Sequence, residues 1–308
     1  NGMDSMADAA KEIANGLVSI NDRLNYNLNK ELKGRVTGDN PEDMSTKFYG
    51  NGNVKPVKKT ESHGTHVAGI IAAERNNGKG ANGVANNVEI MSVRAVPNGD
   101  EYDKDVALAI RYAVDNGAKV INGSFGKYYS QHKEWVMDAI KYAESKDVLI
   151  VIAAGNESYD LDVTNKYPND TYDGSPEFAK NVLIIGALSP NYGSKMVAGF
   201  SNYGKNNVDI YAPGDEIYAT TPLNTYEYLQ GTSMASPNVA GVATLIRSYY
   251  PKLTAVQVKQ IIMESGTPLK NTVVIGEDKH KANFADASKS GRIVNAYNAL
   301  VLAAKMSK

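Results

Sequence analysis

The chain has 308 residues, of which 42% are hydrophobic, enough for one large α/β domain or two small ones with a sizeable core. Its formal net charge of −1 gives no electrostatic reason to expect a nucleic acid or an anionic membrane as a partner. It contains no cysteine, which excludes disulfides, thiolate metal ligands and a thiol nucleophile.

The N-terminal part differs in composition from the rest. The chain begins Asn-Gly-Met-Asp, without an initiator methionine or a secretion signal, so we expect this end to result from a cut. Residues near 4–29 are polar, and their helical spacing of apolar residues predicts a helix; these are Ala9, Ile13, Leu17 and Ile20. Residues near 33–60, rich in Gly, Asn, Asp, Pro and Lys, predict a long surface excursion. We therefore expect an N-terminal extension or insertion over residues 1–61.

From residue 62 onward, strand and helix patterns alternate. Strands are predicted at Val88–Val93, Val120–Asn122, Val148–Ala153 and Val182–Gly186. Helices are predicted at Asp103–Asn116, at 132–145, at Ser233–Tyr250, after the N-cap Thr254 through Ser265, and at about Asn295–Lys305. The longest apolar run, from residue 148 to 154, is too short to span a bilayer and is typical of a buried parallel strand. The alternation predicts an α/β fold with a parallel sheet covered by helices on both faces.

Three short motifs contain residues suited to nucleophilic catalysis: Ser62–Gly69, Ala153–Asn156 and Gly231–Pro237. Ser233 follows Gly-Thr at the predicted start of a helix, which places its hydroxyl at a tight turn and its N–H at the positive end of a helix dipole. A serine hydroxyl is a poor nucleophile until a base takes its proton, and His63 can supply that base. Asn156 follows a buried strand, where open α/β sheets place their sites, and its amide can donate a hydrogen bond to an oxyanion.

Each motif alone has a simpler interpretation. Gly-Thr-Ser before a helix is usually only an N-cap, and an Asn after Ala-Ala-Gly is more often a turn residue. His63 and His66, three residues apart, could be ligands of a metal-dependent hydrolase, but the sequence has no His-Glu-x-x-His and suggests no third ligand. The catalytic interpretation rests on all three motifs occurring together, in order, at strand–helix junctions.

The chain resembles the subtilisin-like serine peptidases over about residues 62–303, both in the order His, Asn, Ser and in the amino-acid sequences of these motifs. Further matching stretches are Asn76–Ala85, Val120–Gly126, Phe200–Gly204, Tyr211–Gly214 and Gly291–Ala296. The resemblance implies a peptidase domain over 62–308, with a three-layer fold in which helices cover both faces of a mostly parallel central sheet. It also implies a polypeptide substrate, no required cofactor and, by family habit, a secreted protein.

The resemblance assigns a role to each motif residue. Ser233 would be the nucleophile, His63 the general base and Asn156 the oxyanion donor, while His66 would pack against the sheet without a catalytic role. A peptide would insert as an extra strand between two edges. The substrate-binding residues would be Ser124, Phe125, Gly126, Ala154 and Gly155 on one side, with Asn98, Gly99 and Asp100 at the opposite edge. The loop at 167–174 would shape the floor of the pocket.

The family also needs an Asp before the histidine, normally as Val-x-Asp-Ser/Thr-Gly, and no such string precedes His63. Asp4-Ser5-Met6 is the nearest imitation, but it opens a helical pattern and is expected to be a helix cap. Asp8, Asp22, Asp39 and Asp43 have no better context. We expect the orienting Asp to lie before residue 1, on a removed segment that could remain bound as a partner. The alternative is an inactive fragment or relative that keeps a peptide-binding groove.

Residues 76–84 resemble a calcium-binding loop of the family. Calcium prefers several oxygen ligands, and backbone carbonyls together with the Asn77 amide could supply some of them. The loop has no Asp, and the further carboxylate ligand would come from the part before residue 1. We therefore expect a structural calcium to be weakly bound or absent.

Overall fold

The computed structural model describes residues 6–28, 34–56, 61–96 and 98–308. The helices are α1 (Met6–Asp22), which continues as a π-helical turn at Arg23–Asn27, α2 (His63–Ala72), α3 (Asp103–Asp115), α4 (Lys133–Ser145), α5 (Thr232–Tyr249), α6 (Ala255–Ser265) and α7 (Ala296–Met306). The strands are β1 (Val120–Gly123), β2 (Leu149–Ala153), β3 (Val182–Leu188), β4 (Ile210–Pro213), β5 (Ile217–Thr221), β6 (Thr225–Leu229), β7 (Thr267–Pro268), β8 (Thr272–Ile275), β9 (His280–Asn283) and β10 (Arg292–Ile293).

The main sheet has six strands in the order β1-β2-β3-β4-β10-β7. Neighbours from β1 to β10 are parallel, and only β7 runs antiparallel to its neighbour. In the β1–β2 pair, Val120 is opposite Leu149 and Gly123 is opposite Ile152. Because parallel strands end at the same edge of a sheet, the loops that follow β1 and β2 lie side by side. These loops contain Ser124 and Asn156.

Helices cover both faces of this sheet, which confirms the predicted fold. Successive side chains of a strand point to opposite faces, and β2 and β3 are buried along their whole length. One face contributes Ile150, Ile152 and Ile184 to a cluster with residues of α3 and α4. The other contributes Leu149, Val151 and Leu183 to a cluster with residues of α5, α6 and α7. Each such fully buried side chain contributes about 1.5–3 kcal/mol to folding.

Most predicted elements are confirmed within one or two residues, and Thr254 caps α6 in a reciprocal capping box with Gln257. The strand predicted at Val88–Val93 is wrong, because these residues form no strand and Ile90 and Met91 are exposed. A strand needs a hydrogen-bonding neighbour, and in the described part of the chain β1 pairs only with β2. Residues 88–93 therefore have the composition of a strand but no neighbouring strand to pair with in the described part of the chain.

The N-terminal helix is confirmed, but Ile13, Leu17 and Ile20 of its apolar stripe are exposed. The predicted cap at Asp4 lies outside the described residues, as does the side chain of Ala9. Residues 34–56 have no regular structure, which agrees with the predicted excursion. The predicted boundary between residues 61 and 62 stays a prediction.

Buried ion pairs fasten the excursion to the start of α3. Arg35 Nε lies 2.8 Å from Asp105 Oδ2, and Lys104 Nζ lies 2.5 Å from Asp39 Oδ2. Burial alone would raise the pKa of Asp39, but hydrogen bonds from Arg35 and Lys104 outweigh it and hold that pKa well below its usual value. Because breaking one partner of a buried pair costs about 3–5 kcal/mol, this part of the excursion is held in place.

Candidate active site

The turn before α5 presents Ser233. Gly231 has φ +143, a value that favours glycine, and its N–H donates to Gly214 O at 2.8 Å. Ser233, the second residue of α5, is half-buried. Its Oγ donates to Ser124 O at 3.2 Å, while Ser124 Oγ donates to Ser233 O at 2.8 Å. These two bonds fasten the first turn of α5 to the residue that follows β1.

The side chain of Asn156 is held by the residue before Ser233. Asn156 Oδ1 accepts from Thr232 N at 2.8 Å and from Thr232 Oγ1 at 2.9 Å. Gly155 N in turn donates to the same threonine hydroxyl at 3.0 Å. With Oδ1 fixed, Nδ2 of Asn156 must point away from Thr232, and it has no hydrogen-bond acceptor among the residues that the structure describes. The amide is therefore oriented and has a free donor.

Two donors that have no acceptor among the described residues border one small volume at the turn before α5. A methyl group added at Gly231 would lie 3.4 Å from Asn156 Nδ2 and 3.6 Å from the backbone N of Ser233. The Ser233 N–H belongs to the first turn of α5 and has no acceptor in the described ranges. Donors held in place at a helix N-terminus stabilise negative charge that develops on an oxygen. The arrangement has the properties of an oxyanion hole.

His63 begins α2, which packs beside α5 and β5. Thr220 Oγ1 of β5 donates to Thr65 O at 2.9 Å, and Ile70 of α2 shares an apolar cluster with Met234. These contacts pack α2 against β5 and place its second turn in one apolar cluster with the first turn of α5. Within the described ranges, however, no hydrogen bond joins His63 to Ser233. The His63 side chain is open to solvent, yet partial desolvation by surrounding protein, and to a smaller extent His66, lowers its pKa below 6.5.

His66 is fully buried, and its Nε2 lies 3.1 Å from Glu227 O in the two-stranded sheet β5–β6. Its Nδ1 is buried and has no hydrogen-bond partner within the ranges that the structure describes. The described residues contain no group of three His, Cys, Asp or Glu side chains that could hold a metal ion. The geometry therefore favours a packing role for His66 over the alternative of a metal ligand.

The described part of the chain places no carboxylate against His63. Asp39 is engaged by Arg35 and Lys104, and Asp43 accepts from Ser45 N at 2.8 Å. The side chains of Asp4, Asp8 and Asp22 lie outside the described residues. The orienting acid of a triad is thus not found among the residues that can be placed.

The predicted pocket walls follow β1 and β2. Ser124–Gly126 and Ala154–Gly155 lie next to each other as the strand register requires. The Phe125 ring would be 3.6 Å from a methyl group added at Gly123, so this ring fills the space beside that glycine. Gly126 N donates to Glu101 Oε1 at 3.0 Å, which links this wall to the segment that follows Asp100. The role of these residues in substrate binding stays a prediction.

The predicted opposite edge, Asn98–Asp100, contacts the N-terminal segment. Asn27 Nδ2 donates to Asp100 Oδ1 at 2.7 Å, and a methyl group added at Gly34 would overlap Asn98 O. Residues 98–100 form bends and no strand pairs with them in the described chain. A peptide added at this edge would have to lie alongside or displace that segment.

The predicted calcium loop uses its oxygens internally. Asn77 Oδ1 accepts from Lys79 N at 2.9 Å, and Asn82 Oδ1 accepts from Asn76 N at 2.9 Å. The guanidinium of Arg75 donates to Gly83 O within the same loop. Calcium needs six to eight oxygen ligands, and a cation in the loop opposes its binding. These contacts oppose calcium binding, and a weakly bound or absent calcium ion stays a prediction.

Sequence reasoning missed two residues of this region. Thr232 holds Asn156, and its only signal in the sequence was its position next to Ser233. Lys166 is only 2% exposed, with Nζ 3.3 Å from Phe125 O. A lysine in a polar loop is normally solvated, so no sequence pattern predicts this burial.

Comparison with known proteins gives consistent matches. A family model described as "Subtilase family" matches residues 16–290. The thermophilic serine proteinase of Bacillus sp. (strain AK1) is 39% identical over 240 residues, which cover 78% of this chain and 52% of that protein. The cell wall-associated protease of Bacillus subtilis (strain 168) is 35% identical over 298 residues, which cover 93% of this chain and 31% of that protein. A protease structure from Pseudoalteromonas arctica PAMC 21717 has a TM-score of 0.61 and 31% identity, covering 78% of this chain and 70% of that one.

The chain therefore spans about half the length of the first of these relatives and about a third of the second. The family match begins at residue 16, upstream of the predicted start of the peptidase domain. Both relatives are named as proteolytic enzymes, and the solved structure agrees with the mostly parallel sheet described above.

Proposed function

The chain belongs to the subtilase family, and we propose that it is a serine endopeptidase that uses Ser233, His63 and Asn156. Ser233 Oγ attacks the carbonyl carbon of the scissile peptide bond, His63 takes the hydroxyl proton and later donates it to the leaving amine, and Asn156 Nδ2 binds the oxyanion. One observation supports the proposal most directly: two N–H donors without an acceptor among the described residues, Asn156 Nδ2 and the backbone N–H of Ser233, border the same small volume.

The site supports this chemistry before substrate arrives. Thr232 fixes the Asn156 amide by two hydrogen bonds, so little reorganisation is needed when charge develops on the carbonyl oxygen. The 3.2 Å bond from Ser233 Oγ to Ser124 O is long for a hydroxyl donor. The hydroxyl can therefore turn toward His63 at small cost once a peptide occupies the groove. No step of this mechanism requires a metal or a cofactor.

The substrate in this proposal is an extended polypeptide held by residues 124–126 and 154–155, with Asn98–Asp100 at the opposite edge. We place the enzyme outside the cytoplasm, in keeping with the relative named as a cell wall-associated protease. No helix within the described ranges is both long and apolar enough to cross a membrane. A bound N-terminal segment that supplies the orienting Asp remains part of the proposal.

The function is tested by hydrolysis of labelled casein and short peptides by the 308-residue chain. We expect slow release of fragments that a serine-directed fluorophosphonate stops and EDTA does not affect. Hydrolysis that resists the fluorophosphonate but stops with EDTA would contradict the proposal and support a metal-dependent hydrolase at His63 and His66.

Replacing Asn156 by alanine should lower kcat by roughly 10²–10³ with little change in KM, because the lost donor acts mainly in the transition state. The magnitude is that measured for subtilisin, a member of this family. Asn191→Ala, at an exposed position in another loop, serves as the matched control and should leave kcat unchanged. An unchanged kcat in Asn156→Ala, with the fold intact by circular dichroism, would remove Asn156 from the mechanism.

A further inference from the structure

Lys166 is a buried cation behind the predicted substrate pocket. Backbone bonds between Lys127 and Tyr167, at 2.9 and 2.8 Å, align the two segments so that residue 166 lies beside Gly126. The Lys166 side chain is only 2% exposed, and Nζ donates to Phe125 O at 3.3 Å. A methyl group added at Gly126 would overlap the ammonium group. The charge therefore occupies the space that a side chain on the pocket wall would fill.

This ammonium group lacks the partner that the other buried lysines have. Lys104 has Asp39 Oδ2 at 2.5 Å, and Lys259 has three carboxylates between 3.5 and 3.7 Å. Among the described residues, no carboxylate lies within 4.0 Å of Lys166 Nζ. An ammonium group has three N–H donors, and only one long hydrogen bond is made. An unpaired buried charge is costly, and a carboxylate that reaches it recovers part of that cost.

The two acidic groups whose charge acts on Lys166, Glu101 and Glu157, are engaged elsewhere. Glu101 Oε1 accepts from Gly126 N at 3.0 Å. Glu157 Oε2 accepts from Asn156 N at 2.8 Å and from the Tyr128 hydroxyl. Burial outweighs the attraction of both and lowers the pKa of Lys166 to about 8. At neutral pH the group is still mostly protonated.

Two consecutive residues of the pocket wall, Ser124 and Phe125, lie between the Ser233 hydroxyl and the Lys166 ammonium group. Ser233 Oγ lies 3.2 Å from Ser124 O, and the next carbonyl along the wall, that of Phe125, accepts from Lys166. We propose that Lys166 binds the side-chain carboxylate of the substrate residue whose carbonyl Ser233 attacks, so that the enzyme prefers to cleave after Glu or Asp. The inference rests on the proposed function and names its substrate class.

The test separates binding from turnover by using the Ser233→Ala chain. Fluorescein-labelled peptides that differ at one position, Glu, Gln or Lys, are titrated and their Kd values are measured by anisotropy at pH 7. A charge-assisted hydrogen bond predicts that the Glu peptide binds roughly 10- to 100-fold more tightly than the Gln peptide. Adding Lys166→Met should abolish this difference, whereas Lys133→Met, at a half-buried lysine paired with Asp173, should preserve it. Equal affinities in the parent, or a Glu preference that survives Lys166→Met, would overturn the inference.

The pH dependence of the Glu preference and the Tm of Lys166→Met give two further tests of the inference. The Glu preference should be full well below pH 8, where Lys166 is protonated and the substrate carboxylate is still ionised, and should fall as the pH rises through about 8, because the free ammonium loses its proton there. Folding lowers this pKa from 10.5, so burial of the charged form destabilises the fold at every pH below about 10.5, most strongly below 8. Lys166→Met should therefore raise Tm at pH 7, and a lower Tm would indicate a structural lysine and contradict the inference.

If Lys166→Met does not fold, Lys166→Gln replaces it in the same assay. A Glu preference in binding without any peptide hydrolysis would support the Lys166 site and reject the proposed peptidase function. Peptide hydrolysis without preference for Glu or Asp, read from the masses of the cleavage fragments, would reject the Lys166 site and leave the function standing.

Discussion

Replacing Ser233 by alanine is expected to abolish labelling of the chain by a serine-directed fluorophosphonate. The reagent needs an accessible hydroxyl beside an oxyanion hole. Ser233 is only half-buried, and two N–H donors near it have no acceptor among the described residues. The fold should be retained, because the hydroxyl makes one hydrogen bond, of 3.2 Å, worth at most about 1 kcal/mol. The measurement is the mass increase of the peptide containing residues 231–237, with Tm measured alongside.

Ser248→Ala is a matched control, since Ser248 is an exposed serine on the same helix. That variant should label like the parent. Undiminished labelling of Ser233→Ala would show that another hydroxyl reacts and that the turn before α5 is only a helix start.

The rate of labelling by the parent chain should rise with pH and level off above an inflection below pH 6.5. Only neutral His63 accepts a proton, and the pKa of His63 is lowered.

The local part of the site could be predicted from the sequence because short motifs specify it. Ser233 stands where a turn meets α5, and Asn156 follows the end of β2, where parallel strands place the loops of a site at one edge of the sheet. The contact between Asn156 and Thr232, 76 residues apart, follows from that rule together with the adjacency of Thr232 to Ser233. The capped start of α6 at Thr254 was predictable for the same local reason.

Other features depend on contacts that no local pattern encodes. Val88–Val93 has strand composition, but strand formation is decided by whether a neighbouring strand is present. Lys166 and Gly126 are far apart in the sequence, and their proximity results from the pairing of Lys127 with Tyr167. The same holds for Arg35 and Asp105, whose buried pair ties an irregular segment to α3. The polar composition of residues 33–60 predicted an exposed segment, and the ion pairs of Arg35 buried part of it instead.

The second large effect concerns the carboxylate that should orient His63. That acid holds the histidine in the productive tautomer and stabilises the imidazolium formed during attack. No described carboxylate contacts His63, so we expect the 308-residue chain to turn over about 10⁴ times more slowly than an intact triad would allow. Binding and the oxyanion hole at Asn156 should sustain the residual rate.

The size of the Ser233→Ala effect on hydrolysis measures this deficit within the same chain. In subtilisin, a member of this family, loss of the aspartate costs about 3 × 10⁴ in kcat, and loss of the serine or of all three residues costs about 2 × 10⁶. Catalytic residues act as a unit, so a chain that already lacks the orienting acid should lose only about 10² more on Ser233→Ala. A working triad should instead lose about 10⁶. Steady-state hydrolysis of one peptide by the parent and by Ser233→Ala distinguishes the two.

A loss near 10⁶ would mean that an acidic residue of this chain orients His63 after all. Asp4 is then the first candidate, and Asp4→Asn should by itself lower kcat by about 10⁴ while Asp43→Asn, whose carboxylate is engaged by Ser45, should not. A loss near 10² with intact binding of the Glu peptide would instead describe a chain that keeps the groove, the nucleophile and the oxyanion hole, and whose turnover awaits a carboxylate supplied to His63. Hydrolysis of one peptide by the parent chain and by Ser233→Ala, together with binding of the Glu peptide, therefore decides between an active peptidase and the inactive, peptide-binding alternative.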